Sequence, residues 1–189
     1  MSSKAVEAGR LPTTRTWTVD PLHSSVRFSV THHAVATYRA GFGEFAGTYD
    51  AATRTFAGMV QAASVQTFEM LRGDLVGERF FDAAKHPEIS FVSTSVLDRD
   101  GELVVEGDLT LNGVTKGVRA AGRVVGPSTV AHYDGTVHDH VGIDLELTID
   151  RRDFGVDFNN ELLAGGLNLG WDVRIELALE LTAPVENGG

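Results

Sequence analysis

The sequence predicts an all-β protein, a closed or nearly closed antiparallel barrel of eight or so strands with one short helical insert. Three observations carry this prediction. Residues 101–125 form a long amphipathic hairpin around Asn112-Gly113. Apolar residues recur at period two in segment after segment, which is the spacing of one face of a strand. No strand–helix–strand rhythm interrupts them, so a parallel sheet is not expected.

The elements follow in order. Strand pattern begins at Trp17, and residues 24–32 alternate with Val26, Phe28 and Val30 on one face. Residues 38–49 are strand-like but rich in glycine, and Gly41, Gly43 and Gly47 predict a strongly bent strand or a close backbone approach. Residues 50–53 form a turn and residues 55–65 return. Residues 68–81 break the period, and Phe68, Leu71 and Leu75 fit a short helix. Residues 88–97 resume a strand, closed by the turn signal Asp98-Arg99-Asp100-Gly101.

In the central hairpin, Leu103, Val105, Leu109 and Leu111 lie on odd positions. Its return arm places Val114, Val118, Ala120 and Val124 on even ones. Asn112-Gly113 supplies the turn because both residues tolerate positive φ. Residues 127–139 are polar and are expected to be a loop. Residues 140–149 form a strand with Val141, Ile143, Leu145, Leu147 and Ile149 on one face. The last strand carries apolar residues at every odd position from Leu167 to Leu181, and is read as the longest.

Composition bounds the function. The chain has 189 residues, enough for one domain, with 42% hydrophobic and 22% charged residues. Residues 16–183 are read as a single barrel domain, with flexible tails at residues 1–15 and 184–189. A net charge of -10 argues against nucleic acid and anionic membrane surfaces as partners, since both select basic patches. There are 0 cysteines, so no disulfide supports the fold. No integral membrane segment is expected, because no stretch approaches the roughly 18 apolar residues of a membrane helix. The start lacks a signal-like apolar run, so a cytoplasmic location is expected.

Four segments carry a family resemblance. They are W-T-V-D-P-L-H-S-S-V-R-F-S-V-T-H at residues 17–32 and F-F-D-A-A-K-H-P-E-I-S-F at 80–91. After these come G-D-L-T-L-N-G-V-T-K at 107–116 and I-D-R-R-D-F-G at 149–155. With these in order, the chain resembles the YceI-like proteins, a lipocalin-like group described as polyisoprenoid-binding. The resemblance implies an elongated eight-stranded antiparallel barrel around an apolar tunnel. The implied ligand is a long-chain amphiphile: an isoprenoid quinone, a polyprenyl phosphate or a fatty-acid derivative. The implied role is non-enzymatic binding, carriage or storage, with no cofactor required beyond a bound isoprenoid or other lipid. Two departures stand out. Leu71-Arg72-Gly73-Asp74-Leu75 occupies the place of the family's Arg-Asp-x-His-Leu, and residues 126–140 are longer and richer in histidine.

The inward rows nominate Val26, Phe28, Val30, Phe42, Leu109, Leu145, Leu147, Trp171, Val173 and Ile175 as tunnel walls. Periodicity fixes a face and not a void, so a filled core is the competing reading, and the resemblance is what implies a cavity. His23 and His32 stand at family-like positions and are candidate head-group contacts, competing with structural hydrogen bonds at strand ends. Arg39 and Arg72 suit an anionic head group, competing with surface placement. His132, His138 and His140 invite a metal reading, but further ligands are not evident in the sequence and no metal site is expected.

The cluster Asp150, Arg151, Arg152 and Asp153 is read as a turn-anchoring ion-pair set. Asp153-Phe154-Gly155 matches the kinase magnesium triplet in letters alone, because none of its companion motifs is present. Two other functions stay open at this point: an enzyme acting on a small lipid or isoprenoid at the barrel mouth, and a filled interaction barrel. Oligomeric state is open as well, with an isologous homodimer the common form.

Overall fold

The computed structural model describes residues 9–163 and 165–185. Eleven strand segments form one sheet that curls into a closed antiparallel barrel. In chain order they are β1 (Thr16–Val19), β2 (Ser25–His32), β3 (Ala36–Phe42), β4 (Phe45–Asp50), β5 (Thr55–Gln61) and β6 (Val65–Gln66). After the helix α1 (Glu69–Val76) come β7 (Glu88–Arg99), β8 (Glu102–Leu111), β9 (Val114–Ala131), β10 (Val137–Asp150) and β11 (Leu169–Pro184).

The eleven segments make eight staves. The pairs β1 and β2, β3 and β4, and β5 and β6 are each one stave broken at mid-length. β11 shows this directly: Leu181 and Thr182 pair with β1, while residues 173–178 pair with β2. The β1–β11 pairing closes the ring. The breaks have local causes. Pro21 lies in the first break and removes a backbone donor. Gly43 donates its amide to the Ser64 carbonyl at 3.0 Å, and the Glu44 amide donates to Ser64 Oγ at 3.0 Å. Those bonds stitch the second break to the third, a single turn at Ala62–Ser64.

The central hairpin forms as its sequence dictates. Asn112 has φ 52° and Gly113 φ 74°, so both occupy the left-handed region that a two-residue hairpin turn requires. The register Leu111↔Val114 to Glu102↔Arg123 is unbroken. Leu103, Val105, Leu109 and Leu111 are all buried.

One end of the barrel is solid. Trp17, Tyr49, Leu103, Val105, Val124, Val141, Ile143 and Leu181 pack there, each 2% exposed or less. The Tyr49 and Phe56 rings lie 4.4 Å apart. Burying each such side chain stabilises the fold by roughly 1.5–3 kcal/mol. At the other end the wall opens between β6 and β7, and α1 fills the gap. Its Leu75 and Val76 pack with Phe81 against Phe42, Val60 and Val65. Eight residues are too few for a helix to stand alone in water, so packing holds it in place.

Three expectations need correction. β9, with 18 residues, is the longest strand, rather than β11 with 16. The stretch 127–139 is largely strand: β9 continues to Ala131 and pairs with β10 as far as Val137↔Ala131. The ladder shifts register between His140 and Gly142, opposite Gly126 and Pro127, and a bulge there accommodates the proline. This extension is exposed along residues 127–131, so no apolar face marks it in the sequence. Finally, the expected N-terminal tail is docked where it is described. The Gly9 amide donates to the Val124 carbonyl, and Leu11 is 5% exposed, with its amide on Asp98 Oδ2 at 2.6 Å. Residues 1–8 and 186–189 of the expected tails lie outside the described residues.

Candidate binding site: an apolar bore with a basic mouth

The barrel is hollow. A cavity of about 640 Å³ runs inside it, within the usual range for small-molecule sites of about 300–1,000 Å³. Its wall takes Val26, Phe28 and Val30 from β2, Phe42 from β3, Leu109 from β8, Leu145 and Leu147 from β10, and Val173 and Ile175 from β11. Along β11 the lining runs from Leu169 to Leu181. At about 3.3 Å per residue and the usual strand tilt, that is roughly 30 Å along the barrel axis. Many wall residues, Leu147, Ile175 and Leu177 among them, are only half-buried although they point inward. They border empty space instead of interlocking.

The bore is blind at one end. Val19, Phe56, Val105, Ala120 and Leu181 line it there, each at most 9% exposed, backed by the solid core. At the other end the lining turns polar. His32, Asp74, Arg79, Asn160 and Asn168 lie there, joined by Arg151. Three basic side chains thus meet one carboxylate at the mouth of an acidic protein.

Arg151 is the unusual member. It is 5% exposed. The turn Arg151–Phe154 places it, and Asp150 caps that turn by accepting the Arg152 amide at 2.9 Å. The Arg151 guanidinium donates from Nε to the Gly170 carbonyl at 2.9 Å. From Nη1 it donates to the carbonyls of Val156 and Phe158, at 2.7 and 2.9 Å. Nη2 is buried and has no hydrogen-bond partner among the described residues. Asn168 Oδ1 is in the same condition. Burial holds the Arg151 pKa below the ordinary guanidinium value, partly offset by the fields of Asp150 and Asp157. The neighbouring carboxylate of Asp150 is committed to Arg152. A buried cation with a free N–H is costly unless an anion or strong acceptor meets it.

The mouth is framed by aromatic contacts. Phe158 packs edge-on against Phe80 at 5.7 Å, and the Arg79 guanidinium carbon lies 4.7 Å over the Phe158 ring. Asn159 clamps the following strand, donating to the Leu169 carbonyl at 2.7 Å and accepting from its amide at 3.0 Å.

The nominated residues fall as follows. Nine of the ten wall positions line the bore, and Trp171 does not. The ladder between β11 and β2 slips between Leu169 and Val173, which takes Trp171 out of the inward row. Its indole contacts the guanidiniums of Arg151 and Arg152 instead. Of the head-group candidates, His32 reaches the bore. His23 lies toward the blind end, hydrogen-bonded to Asp20 at 2.7 Å. Arg39 is exposed, and its side chain donates to the Thr37 carbonyl at 3.4 Å. Arg72 is also exposed and donates to the Ala63 carbonyl at 2.9 Å, bracing α1 from outside. The ion-pair reading of the 150–153 cluster holds for Asp150 and Arg152, but Arg151 turns inward. Its adjacency to Arg152 in sequence gives no sign of which guanidinium is buried. Among the described residues, no helix is long and apolar enough to cross a membrane.

Comparison with known proteins agrees with this architecture. The chain is 30% identical over 172 residues to a UPF0312 protein of Staphylococcus aureus (strain MSSA476), covering 88% of this chain and 96% of that one. A UPF0312 protein of Shewanella sp. (strain W3-18-1) is 33% identical over 141 residues, or 71% and 72% of the two chains. Among solved structures, Burkholderia cenocepacia BcnA superposes with TM-score 0.68 at 22% identity, over 86% of this chain and 98% of that one. A polyisoprenoid binding domain from Saccharophagus degradans, implicated in plant cell wall breakdown, superposes with TM-score 0.66 at 17% identity, over 89% and 98%. These two likenesses establish the fold. Residues 17–181 match the YceI-like domain, and the chain belongs to that family.

Proposed function

We propose that this protein binds and carries a long-chain apolar amphiphile, tail in the bore and oxygen-bearing head at the mouth. The observation that carries the reading is the blind apolar cavity with the buried guanidinium of Arg151 among the residues of its polar end. Each methylene moved from water into such a bore contributes about 0.8 kcal/mol. A few isoprene units therefore outweigh an association cost of roughly 4–15 kcal/mol. The bore spans roughly 30 Å, comparable to the whole hydrocarbon core of a bilayer, which favours a tail longer than one leaflet is deep. The description of the Saccharophagus degradans relative as polyisoprenoid-binding supports the same class of ligand. An isoprenoid quinone, a polyprenyl phosphate and a long fatty acid all present the acceptor oxygens that Arg151 lacks. The wall desolvates a tail and the cation suits an oxygen-bearing head, and the role in this reading is carriage or storage without turnover.

Native mass spectrometry of protein purified without detergent tests this. The expected result is a bound mass that survives mild desolvation and disappears after organic extraction, the extract holding a long-tailed lipid. The proposal fails if the protein is empty and, once delipidated, takes up neither polyprenyl phosphate, quinone nor fatty acid from vesicles.

A further inference from the structure

The outer surface of the blind end gathers histidines that the lipid site does not use. His138 and His140 are on β10, two residues apart and therefore on one face of the strand. His132 stands just beyond the end of β9, where its backbone N–H closes the hairpin by donating a hydrogen bond to the Thr136 carbonyl at 2.8 Å. The hairpin brings the three rings together. His132 and His140 are stacked with centroids 5.4 Å apart, and His138 meets His132 edge-on at 4.9 Å.

The nitrogen geometry is specific. Nε2 of His132 and Nε2 of His140 lie 3.3 Å apart. Two nitrogens bound to one tetrahedral zinc at about 2.0–2.1 Å stand about 3.3–3.4 Å from each other. The pair therefore already has the spacing of one edge of a zinc tetrahedron. The other nitrogen of His140, Nδ1, donates to Glu180 Oε1 at 2.6 Å. A carboxylate cannot donate that proton, so the bond fixes the tautomer and leaves the lone pair on Nε2, aimed at His132. A carboxylate behind an imidazole is the usual outer support of a metal-bound histidine, and it raises the basicity of the ligand. The third ring stands apart from the pair: among the described residues no set of ligand atoms mutually within 4.8 Å joins His138 to His132 and His140.

We infer that the β9–β10 hairpin holds a divalent transition-metal site, in which Nε2 of His132 and Nε2 of His140 bind the ion and solvent completes its coordination. Imidazole donors select zinc, nickel or copper over magnesium and calcium, which take oxygen. Without metal, His132 donates its Nε2 proton to His140. With metal, that proton moves to His132 Nδ1, and both Nε2 lone pairs face the ion. The site is independent of the lipid site: the bore opens at the α1 end, and these side chains lie outside the barrel at the other end. An ion here would fasten the projecting tip of the hairpin, the part of β9 and β10 that has no core beneath it.

A second group lies alongside. Ligand atoms of Asp20, His23 and Glu180 fall within 4.8 Å of one another. There the His23 Nδ1 is taken by Asp20, and Glu180 is engaged by His140. This group competes for the ion in the experiment.

The test is calorimetric titration of the full chain, free of any affinity tag, with zinc chloride, and separately with magnesium and calcium. The expected result is saturable binding of one zinc per chain, with no heat from magnesium or calcium. Affinity should fall about 10-fold or more in His132→Ala and in His140→Ala, and about 10-fold in Glu180→Gln. Zinc should also slow amide exchange along residues 128–140. His132 is exposed, so its substitution leaves the fold intact and the comparison secure. Two results would overturn the inference. One is zinc binding no tighter than that of the His132→Ala, His140→Ala double variant. The other is binding abolished by His23→Ala while His132→Ala binds normally, which would place the ion in the neighbouring group.

Discussion

The Arg151 guanidinium carbon stands 4.4 Å from the centre of the Trp171 indole, and the Arg152 carbon 4.7 Å from the same ring. One ring therefore serves two adjacent arginines with opposite fates. Arg151 is buried and faces the bore, while Arg152 is exposed and pairs with Asp150. Cation–π contacts of this kind contribute about 0.5–2 kcal/mol, more where water is excluded. The arrangement supplies a fixed positive charge at the mouth, with the nearest carboxylate, that of Asp150, committed to Arg152.

Head-group selection follows from that charge. Arg151→Met should weaken binding of an anionic-headed lipid more than that of a neutral lipid with the same tail. A hydrogen bond to a charged group is worth about 1.5–3 kcal/mol, so the difference should be roughly 10- to 100-fold. The variant also leaves the carbonyls of Gly170, Val156 and Phe158 without a donor, so lower stability is expected for either ligand. Competition binding with the two lipids separates the effects. Equal losses for both would show that Arg151 acts on the fold alone.

Hollowness predicts unequal costs for equal deletions. Leu103 is fully buried in the solid end, and Leu103→Ala should cost about 2–5 kcal/mol, because it removes transfer energy and leaves a new void. Leu147 already borders the bore. Leu147→Ala enlarges an existing space and should cost about 1–2 kcal/mol, near the transfer contribution alone. Urea denaturation of delipidated protein measures both. A Leu147→Ala cost as large as that of Leu103→Ala would mean the bore collapses when empty.

The turn that aims Arg151 should weaken in acid. The hydrogen bonds that Asp150 accepts from Arg152 lower its pKa from the ordinary carboxylate value to about 2. A carboxyl depressed by folding contributes stability above its unfolded pKa, near 4, and loses it as pH falls toward the folded value. The contribution is therefore intact at pH 6 and eroded between about pH 4 and 2. Carbon-detected NMR should place the Asp150 midpoint near the lower figure. Asp150→Asn should flatten that part of the acid limb of the stability profile. A midpoint in the ordinary range would mean that Arg152 is not held against it in solution.

What the sequence made legible was the direction of faces. Odd positions of β8 and β11 and even positions of the first part of β9 turn inward as alternation requires, and Asn112-Gly113 turns where its chemistry allows. Alternation fails where no core lies beneath the strand. The outer half of β9 carries no apolar alternation because residues 127–131 are exposed, and the histidine cluster depends on that same hairpin pairing. It also fails at slips of register, which is why Trp171 leaves the row it appears to share with Val173. Arg151 was hidden for a different reason. Its neighbour Arg152 has the same letter, and only the path of residues 156–170 decides which one is enclosed.

The two ends of the bore should be separable by mutation. Ala120 lies on β9 opposite Val105, and both line the blind end, far from the arginines. A phenylalanine at Ala120 would project into the bore and shorten it while leaving the mouth unaltered. Overpacking of this kind costs about 1–3 kcal/mol of stability, which a domain of this size should tolerate. The binding consequence is selective. A tail short enough to stop before Ala120 keeps all its contacts, whereas a longer tail has methylenes excluded at about 0.8 kcal/mol each. Four excluded methylenes amount to about 3 kcal/mol, or roughly 100-fold in affinity. Measured across a series of isoprenoid alcohols of increasing length, Ala120→Phe should cap the gain in affinity at a shorter tail than the parent protein does. Arg151→Met should shift every member of the series by a similar factor. If Ala120→Phe weakened short and long tails alike, the tail would not reach the blind end, and the bore would be used only near its mouth.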